Sequence, residues 1–179
     1  MKLTARPFRQ APDRVKIKKL YRTAFPREEQ MPWWLLRLLT TNPAVELTGY
    51  YHGETFCGLT FTAWREQVLF VLFLAVDDSL RGKGYGSAIL SFLKENHPGK
   101  IILLNVELLE EDAPNLQERI QRMAFYKKNG FFDTGYNIRE VGGVFRVLST
   151  DPQPDMQAYQ RVFGTMSLGL WKPPITKVK

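Results

Sequence analysis

Cysteine occurs once in the 179 residues, at Cys57, and histidine only at His52 and His97. A lone thiol excludes an internal disulfide and agrees with a reducing cytoplasm. So small a supply of Cys and His offers no clustered ligand set, and metal chemistry has no support. Long apolar runs are missing too. The longest, Val68 to Val76, is of strand length, well short of the roughly 20 residues of a membrane helix. The opening Met1-Lys-Leu-Thr-Ala-Arg-Pro has no apolar stretch of the kind a secretory signal needs. Acids are outnumbered, 18 against 25 Lys and Arg, for a net charge of +7. Much of the excess lies at Lys2, Arg6, Arg9, Arg14, Lys16, Lys18, Lys19, Arg22 and Arg27, with Asp13 the only acid before Glu28. A solvated helix face is the plainest reading, and attraction for a polyanionic small molecule comes next. Nucleic acid comes last, because no aromatics interleave with these charges as a stacking platform requires.

What is present suits one domain with a sizeable core: 44% of residues are hydrophobic and 24% charged. Leu3 to Arg9 reads as a strand. Ile17, Leu20, Tyr21 and Ala24 then fall at helical spacing, and Pro26 stops that helix. Met31 to Thr40 is a short helix apolar almost all round, which must be buried or must face a ligand or partner. Val45 to Tyr51 and Thr55 to Arg65 flank a hairpin turn at His52-Gly53-Glu54. Gln67 to Val76 is apolar on both faces, as a central strand is. A glycine-rich loop leads into a helix from about Tyr85 to Asn96, and Lys100 to Leu108 is another buried strand. The next helix begins at Asn115 with Glu118 placed as in a capping box, with Leu116, Ile120, Met123 and Ala124 as its core face. Phe131 to Val141 and Val144 to Ser149 form a closing hairpin, Asp155 to Phe163 a short helix, and Trp171-Lys-Pro-Pro an extended tail. The expected fold is α+β, in the order β-α-α-β-β-β-α-β-α-β-β. Residues 1–150 form its main domain, and 151–179 an extension packed on it or trailing it.

The loop Arg81-Gly-Lys-Gly-Tyr-Gly-Ser87 carries the chemistry. Glycine at 82, 84 and 86 leaves little bulk and permits positive φ, so the backbone can wrap an anion. A helix beginning there adds its positive terminus, and Arg81, Lys83 and the Ser87 hydroxyl lie beside it. A dinucleotide fingerprint would need Gly at 87, where Ser stands, and the Gly-Lys-Ser/Thr of a P-loop is absent.

The run resembles the acyl-CoA motif Arg/Gln-x-x-Gly-x-Gly/Ala of the GCN5-related N-acetyltransferases (GNAT), here Arg81, Gly84 and Gly86. Phe125-Tyr126-Lys-Lys-Asn-Gly130-Phe131 resembles the family's Tyr-x-x-x-Gly-Phe signature. The resemblance implies a mixed, mostly antiparallel central sheet flanked by helices. It also implies acetyl-CoA as co-substrate, with pantetheine paired to the backbone of Leu74, Ala75 and Val76 where the central strand splays from its neighbour. It further implies cofactor contacts from Arg81, Gly82, Lys83, Gly84, Tyr85, Gly86 and Ser87, and gives Tyr126 the proton for the departing thiolate. A packing aromatic near a helix end is the other reading of Tyr126.

Glu107, at the end of its strand, stands as base, as anionic subsite for a cationic acceptor, or as one of an acidic set coating a loop with Glu110, Glu111 and Asp112. Where the family carries Asn and Ala ahead of the tyrosine, this chain has Arg119 and Arg122. These are either CoA-phosphate ligands, to which guanidinium is suited, or solvent-facing helix residues. Cys57 alternates with apolar neighbours and reads as core. The expected function is acetyl transfer to a primary amine of a small molecule or peptide; an acyl-CoA-binding sensor is the alternative. The acceptor pocket is expected at the first two helices, with Tyr21, Trp33 and Trp34 as walls, and at the hairpin around Gly142. The Trp33-Trp34 helix serves equally as core or as a homodimer contact.

Overall fold

The computed structural model describes residues 1–140, 142–166 and 172–178. It divides into two compact units, one of residues 1–64 and 71–98, the other of residues 65–70 and 99–179. The class is mixed α and β with mostly antiparallel strands, as the sequence leads one to expect.

The first unit holds β1 (Thr4–Pro7), α1 (Arg14–Ala24), α2 (Trp33–Leu39), β2 (Val45–His52), β3 (Thr55–Arg65), the greater part of β4 (Val68–Val76) and α3 (Tyr85–Asn96). β1 pairs antiparallel with β2, and β2 with β3. Helix α1 buries Ile17, Leu20 and Tyr21, the stripe its spacing sets out. It ends because Phe25, standing before Pro26, is pushed to extended backbone at φ −124, ψ 143. Helices flank both faces of β4, because successive side chains of a strand point to opposite sides. On one side Phe73 meets the rings of Tyr21 at 5.1 Å and Phe25 at 4.7 Å. On the other, Leu74 and Val76 join Tyr85, Ala88, Ile89 and Phe92 of α3 in one cluster with Tyr50 and Cys57. Helix α2 buries only Leu36 and Leu39, while Trp34 is 66% and Leu38 54% exposed.

The second unit holds β5 (Ile101–Glu107), α4 (Leu116–Lys128), β6 (Phe132–Glu140), β7 (Gly143–Ser149), α5 (Met156–Met166) and β8 (Ile175–Lys177). β7 pairs antiparallel with β5 and β6, and β8 pairs antiparallel with β6. Residues of the 151–179 stretch are built into this unit. Tyr159 and Phe163 of α5 lie 5.3 and 5.0 Å from the Phe70 ring, and the Tyr159 hydroxyl donates to Asn105 Oδ1 at 2.8 Å. The extended tail expected after Trp171 includes β8; Trp171 itself, like Val141 at the end of the sixth expected strand, lies outside the described residues.

Helix α4 departs from expectation in two ways. Asn115 makes no side-chain cap, because its side chain is engaged with Glu107 and Arg119, so the capping box does not form. Its buried residues are Met123 and Tyr126, with Arg119 also turned inward, whereas Ile120 is 41% exposed and Ala124 is exposed. A guanidinium with carboxylate partners displaces the apolar side chains from the face that periodicity assigns them.

Candidate functional site

Strand β4 ends at Val76 and the chain turns through a single 3-10 turn, Asp78–Leu80. Asp77 caps that turn, its Oδ1 accepting from Ser79 N at 3.1 Å and from Ser79 Oγ at 2.6 Å. Gly82 and Gly84 then take φ of +73 and +85, and a Cβ on either would meet nothing within 4 Å. The backbone there is bare on the side a ligand needs. Helix α3 starts at Tyr85 with Gly84 at its N-cap and no side-chain cap, and its first turn bond runs from Ala88 N to Gly84 O at 3.0 Å. The N–H groups of Tyr85, Gly86 and Ser87 have no intrahelical acceptor, as at the start of every helix, and they suit an anion. The two cations of the loop brace it: Arg81 Nη2 lies 2.7 Å from Asp78 Oδ1, and Lys83 Nζ donates to Ser79 O at 2.9 Å. Both side chains are exposed at the surface, where an arriving phosphate can compete for them. The residues present fit a diphosphate.

Upstream, Leu74 and Val76 are half-buried and Ala75 is buried. Sequence reasoning missed the residue that shapes this strand end, Gly58 of β3. A Cβ there would stand 2.4 Å from the Ala75 carbonyl oxygen, 3.0 Å from Ile89 Cδ1 and 3.2 Å from Val76 Cα. Only glycine lets β4 approach so closely, and Asp77 N completes the approach by donating to Cys57 O at 2.9 Å. A glycine inside an otherwise apolar strand was the available signal. Cys57 is buried, its Sγ donates to Thr55 O at 3.1 Å, and burial pushes its thiol above the ordinary range, all properties of a core residue.

In the second unit, Glu107, Arg119 and Arg122 come together with Asn115. Glu107 Oε1 accepts from Asn115 Nδ2 at 3.1 Å and lies 3.3 Å from Arg119 Nε, while Oε2 accepts from Arg122 Nη1. Arg119 also donates to Asn115 Oδ1 at 2.8 Å, to Leu108 O at 2.6 Å and to Glu110 Oε2 at 3.0 Å. It is a strap that ties the loop after β5 to α4. Arg122 is freer, with its side chain 43% exposed against 15% for Arg119.

Tyr126 lies on the last turn of α4, where the Tyr-x-x-x-Gly-Phe run forms a Schellman ending. Phe131 N donates to Tyr126 O at 3.1 Å, Gly130 N donates to Lys127 O at 3.0 Å, and Gly130 takes φ +77. The hydrophobic contact that accompanies this motif is the Tyr126–Phe131 ring pair, 5.7 Å apart. The motif thus explains the aromatic ring at 126 without calling on its hydroxyl. Burial pushes that phenol up to about 12, opposed by the positive charge of Arg122. It keeps its proton at any physiological pH.

Among the described residues no helix is long and apolar enough to cross a membrane. Comparison with known proteins agrees with the fold. The acetyltransferase (GNAT) domain family matches residues 45–132. None of the curated proteins matches the sequence. Among solved structures, a Bacteroides thetaiotaomicron protein described as a GNAT-family acetyltransferase superposes with a TM-score of 0.75 at 20% identity, covering 96% of this chain and 100% of its own. A Bacillus subtilis acetyltransferase in complex with CoA gives 0.58 at 17% identity, over 84% of this chain and 99% of its own. Arabidopsis thaliana Naa50, bound to the bisubstrate analogue CoA-Ac-MVNAL, gives 0.56 at 19%, over 84% and 99%. Residues 45–132 thus match the GNAT acetyltransferase domain, and the fold that carries them is that of the GNAT acetyltransferases.

Proposed function

We propose that this acyltransferase moves the acetyl group of acetyl-CoA to a primary amine by direct attack. The observation that carries the reading is the bare glycine loop at residues 82–84, opening onto the uncapped first turn of α3. In this reading the N–H groups of residues 82–87 hold the diphosphate, with Arg81 and Lys83 exchanging their internal partners for phosphate oxygens. Leu74, Ala75 and Val76 offer main-chain groups to pantetheine, and a backbone N–H there polarises the thioester carbonyl. The amine nitrogen forms the new C–N bond as the C–S bond breaks, and the sulfur leaves as thiolate. The nitrogen gives up a proton to water, from which the phenol that protonates the sulfur is restored. Tyr126 O–H is the donor to that sulfur. Its burial weakens it as an acid, and Arg122 counters the burial as a positioning residue.

Arg122 retains unused donors for a CoA phosphate, whereas Arg119 is assigned to the loop strap. Glu107 is the carboxylate that holds both arginines. It takes a proton from the amine only by giving up one of these donors.

Calorimetry with coenzyme A and thiol release with a panel of amines test the reading. Gly84→Val, which forces a β-branched residue into φ +85, is expected to lower CoA affinity at least about tenfold. Tyr126→Phe keeps the ring pair and removes only the hydroxyl; it is expected to lower kcat with little change in CoA affinity. The acyl-CoA sensor is favoured by one observation, Arg119 and Arg122 at the family's Asn and Ala positions. It prevails if CoA binds tightly, no amine exceeds hydrolysis and Tyr126→Phe changes nothing.

A further inference from the structure

The first unit contains a cavity of about 480 Å³ lined by Tyr21, Arg22, Arg27, Gln30, Met31 and Trp33, a size suited to a small-molecule site. Its walls are held in place. Tyr21 Oη accepts from Met31 N at 2.8 Å and donates to Met31 O at 3.1 Å. Gln30 Nε2 donates to Arg22 O at 3.1 Å and Phe25 O at 2.7 Å, fastening the turn to the end of α1. Trp33 packs 5.7 Å from Tyr21 and 5.4 Å from Phe8, so its ring is a fixed apolar wall.

The charge of this cavity is one-sided. Among the described residues no carboxylate lies within salt-bridge distance of Arg22 or Arg27, and none lines the cavity. Glu28 and Glu29 adjoin Arg27 in sequence but do not line the cavity. Lys18 Nζ stands 5.9 Å from the Trp33 ring, adding a third cation nearby. The cavity also has an address. Its Tyr21 wall packs on Phe73, the residue of β4 immediately before Leu74, Ala75 and Val76.

We propose that this cavity receives the acceptor and selects one that bears a carboxylate beside its primary amine, on an apolar or aromatic body. Arg22 and Arg27 take the carboxylate, and Trp33 and Tyr21 take the body. The inference rests on the acetyl-transfer reading for the fate of the amine, but not for binding of the carboxylate.

Matched acceptors test it: phenylalanine against phenethylamine, leucine against isopentylamine, and a phenylalanine-initiated dipeptide amide as the peptide arm. The expected result is a kcat/KM about tenfold higher for the free carboxylate of each pair. In Arg22→Gln/Arg27→Gln that ratio is expected to fall to about one, with Arg27→Lys restoring part of it. Melting temperature and CoA affinity, measured on the same samples, separate loss of the site from loss of the fold. Equal rates within each pair, a preference that survives the double substitution, or a dipeptide amide as good as phenylalanine overturns the proposal. If no amine is acetylated, the acetyl-transfer reading fails, and saturation-transfer NMR with phenylacetate decides this one. Binding to the parent and not to the double variant sustains it; no binding, or equal binding to both, refutes it.

Discussion

Replacing Gly58 with alanine adds one carbon atom where β3 meets the end of β4. That atom would stand 2.4 Å from the Ala75 carbonyl oxygen. Real contacts of this kind do not fall below about 3 Å, so the strand must move by more than half an ångström. The obstacle is backbone, not the tip of a flexible side chain, and Val76 Cα at 3.2 Å blocks the adjacent route. Overpacking of this kind costs roughly 1–3 kcal/mol. Alanine restricts the unfolded chain and returns about 0.4–1 kcal/mol of that. The net loss is at most about 2.6 kcal/mol and about 1.3 kcal/mol at mid-range, the latter roughly 3–5 °C in Tm for a chain of this size. The same shift displaces Leu74, Ala75 and Val76, so CoA affinity is expected to fall alongside stability. Thermal unfolding with and without coenzyme A reads both effects at once. A variant that melts at or above the parent temperature and binds coenzyme A equally well would refute the reasoning, because β4 would then have no need of its close approach.

Two further outcomes concern Glu107 and the buried tyrosines. Glu107→Gln leaves Arg119 and Arg122 without the carboxylate they share, and the Glu107 side chain is only 15% exposed. Because Arg122 is partly solvated, a loss of about 1–3 kcal/mol is expected, less than for a wholly buried pair; denaturant unfolding that shows no loss contradicts the strap. Buried tyrosines set the alkaline limit, since burial raises both Tyr126 and Tyr21 to about 12. The folded chain keeps these phenolic protons where the unfolded chain, titrating near pH ~10, has lost them. Their contribution is therefore intact below pH 10 and falls as pH climbs toward 12, by up to about 1.4 kcal/mol per unit for each group. Melting curves from pH 8 to 11.5 are expected to decline less steeply for Tyr126→Phe than for the parent; parallel declines would remove Tyr126 from this account.

The parts legible in the sequence were those written locally. Glycines at 82 and 84 between a strand and a helix state a backbone conformation without reference to the rest of the chain, and their φ angles of +73 and +85 match that statement. Pro26 likewise ends α1 through the residue before it. The Tyr126–Phe131 run is local as well, because both hydrogen bonds of its helix ending span fewer than six residues. The illegible parts depend on partners distant in sequence. Arg119 turns inward because Glu107 and Glu110 wait for it, and no periodicity count on α4 contains that information. Gly58 reads as a weak spot in a strand until the Ala75 carbonyl is found against it.

The same division explains why the donor loop can be written residue by residue from the sequence, while of the acceptor cavity only the aromatic walls Tyr21 and Trp33 can be named. A phosphate asks mainly for bare backbone N–H groups, which a short glycine-rich segment supplies by itself. A carboxylate-bearing amine asks for side chains from α1, the turn after it and the start of α2, held together by Gln30 and by the Tyr21 hydroxyl. In sequence Arg22 and Arg27 are two of nine early cations and look like solvated surface. What sets them apart is their place together on the rim of a cavity that Tyr21 and Trp33 wall and no carboxylate lines, a relation that exists only once the chain has folded.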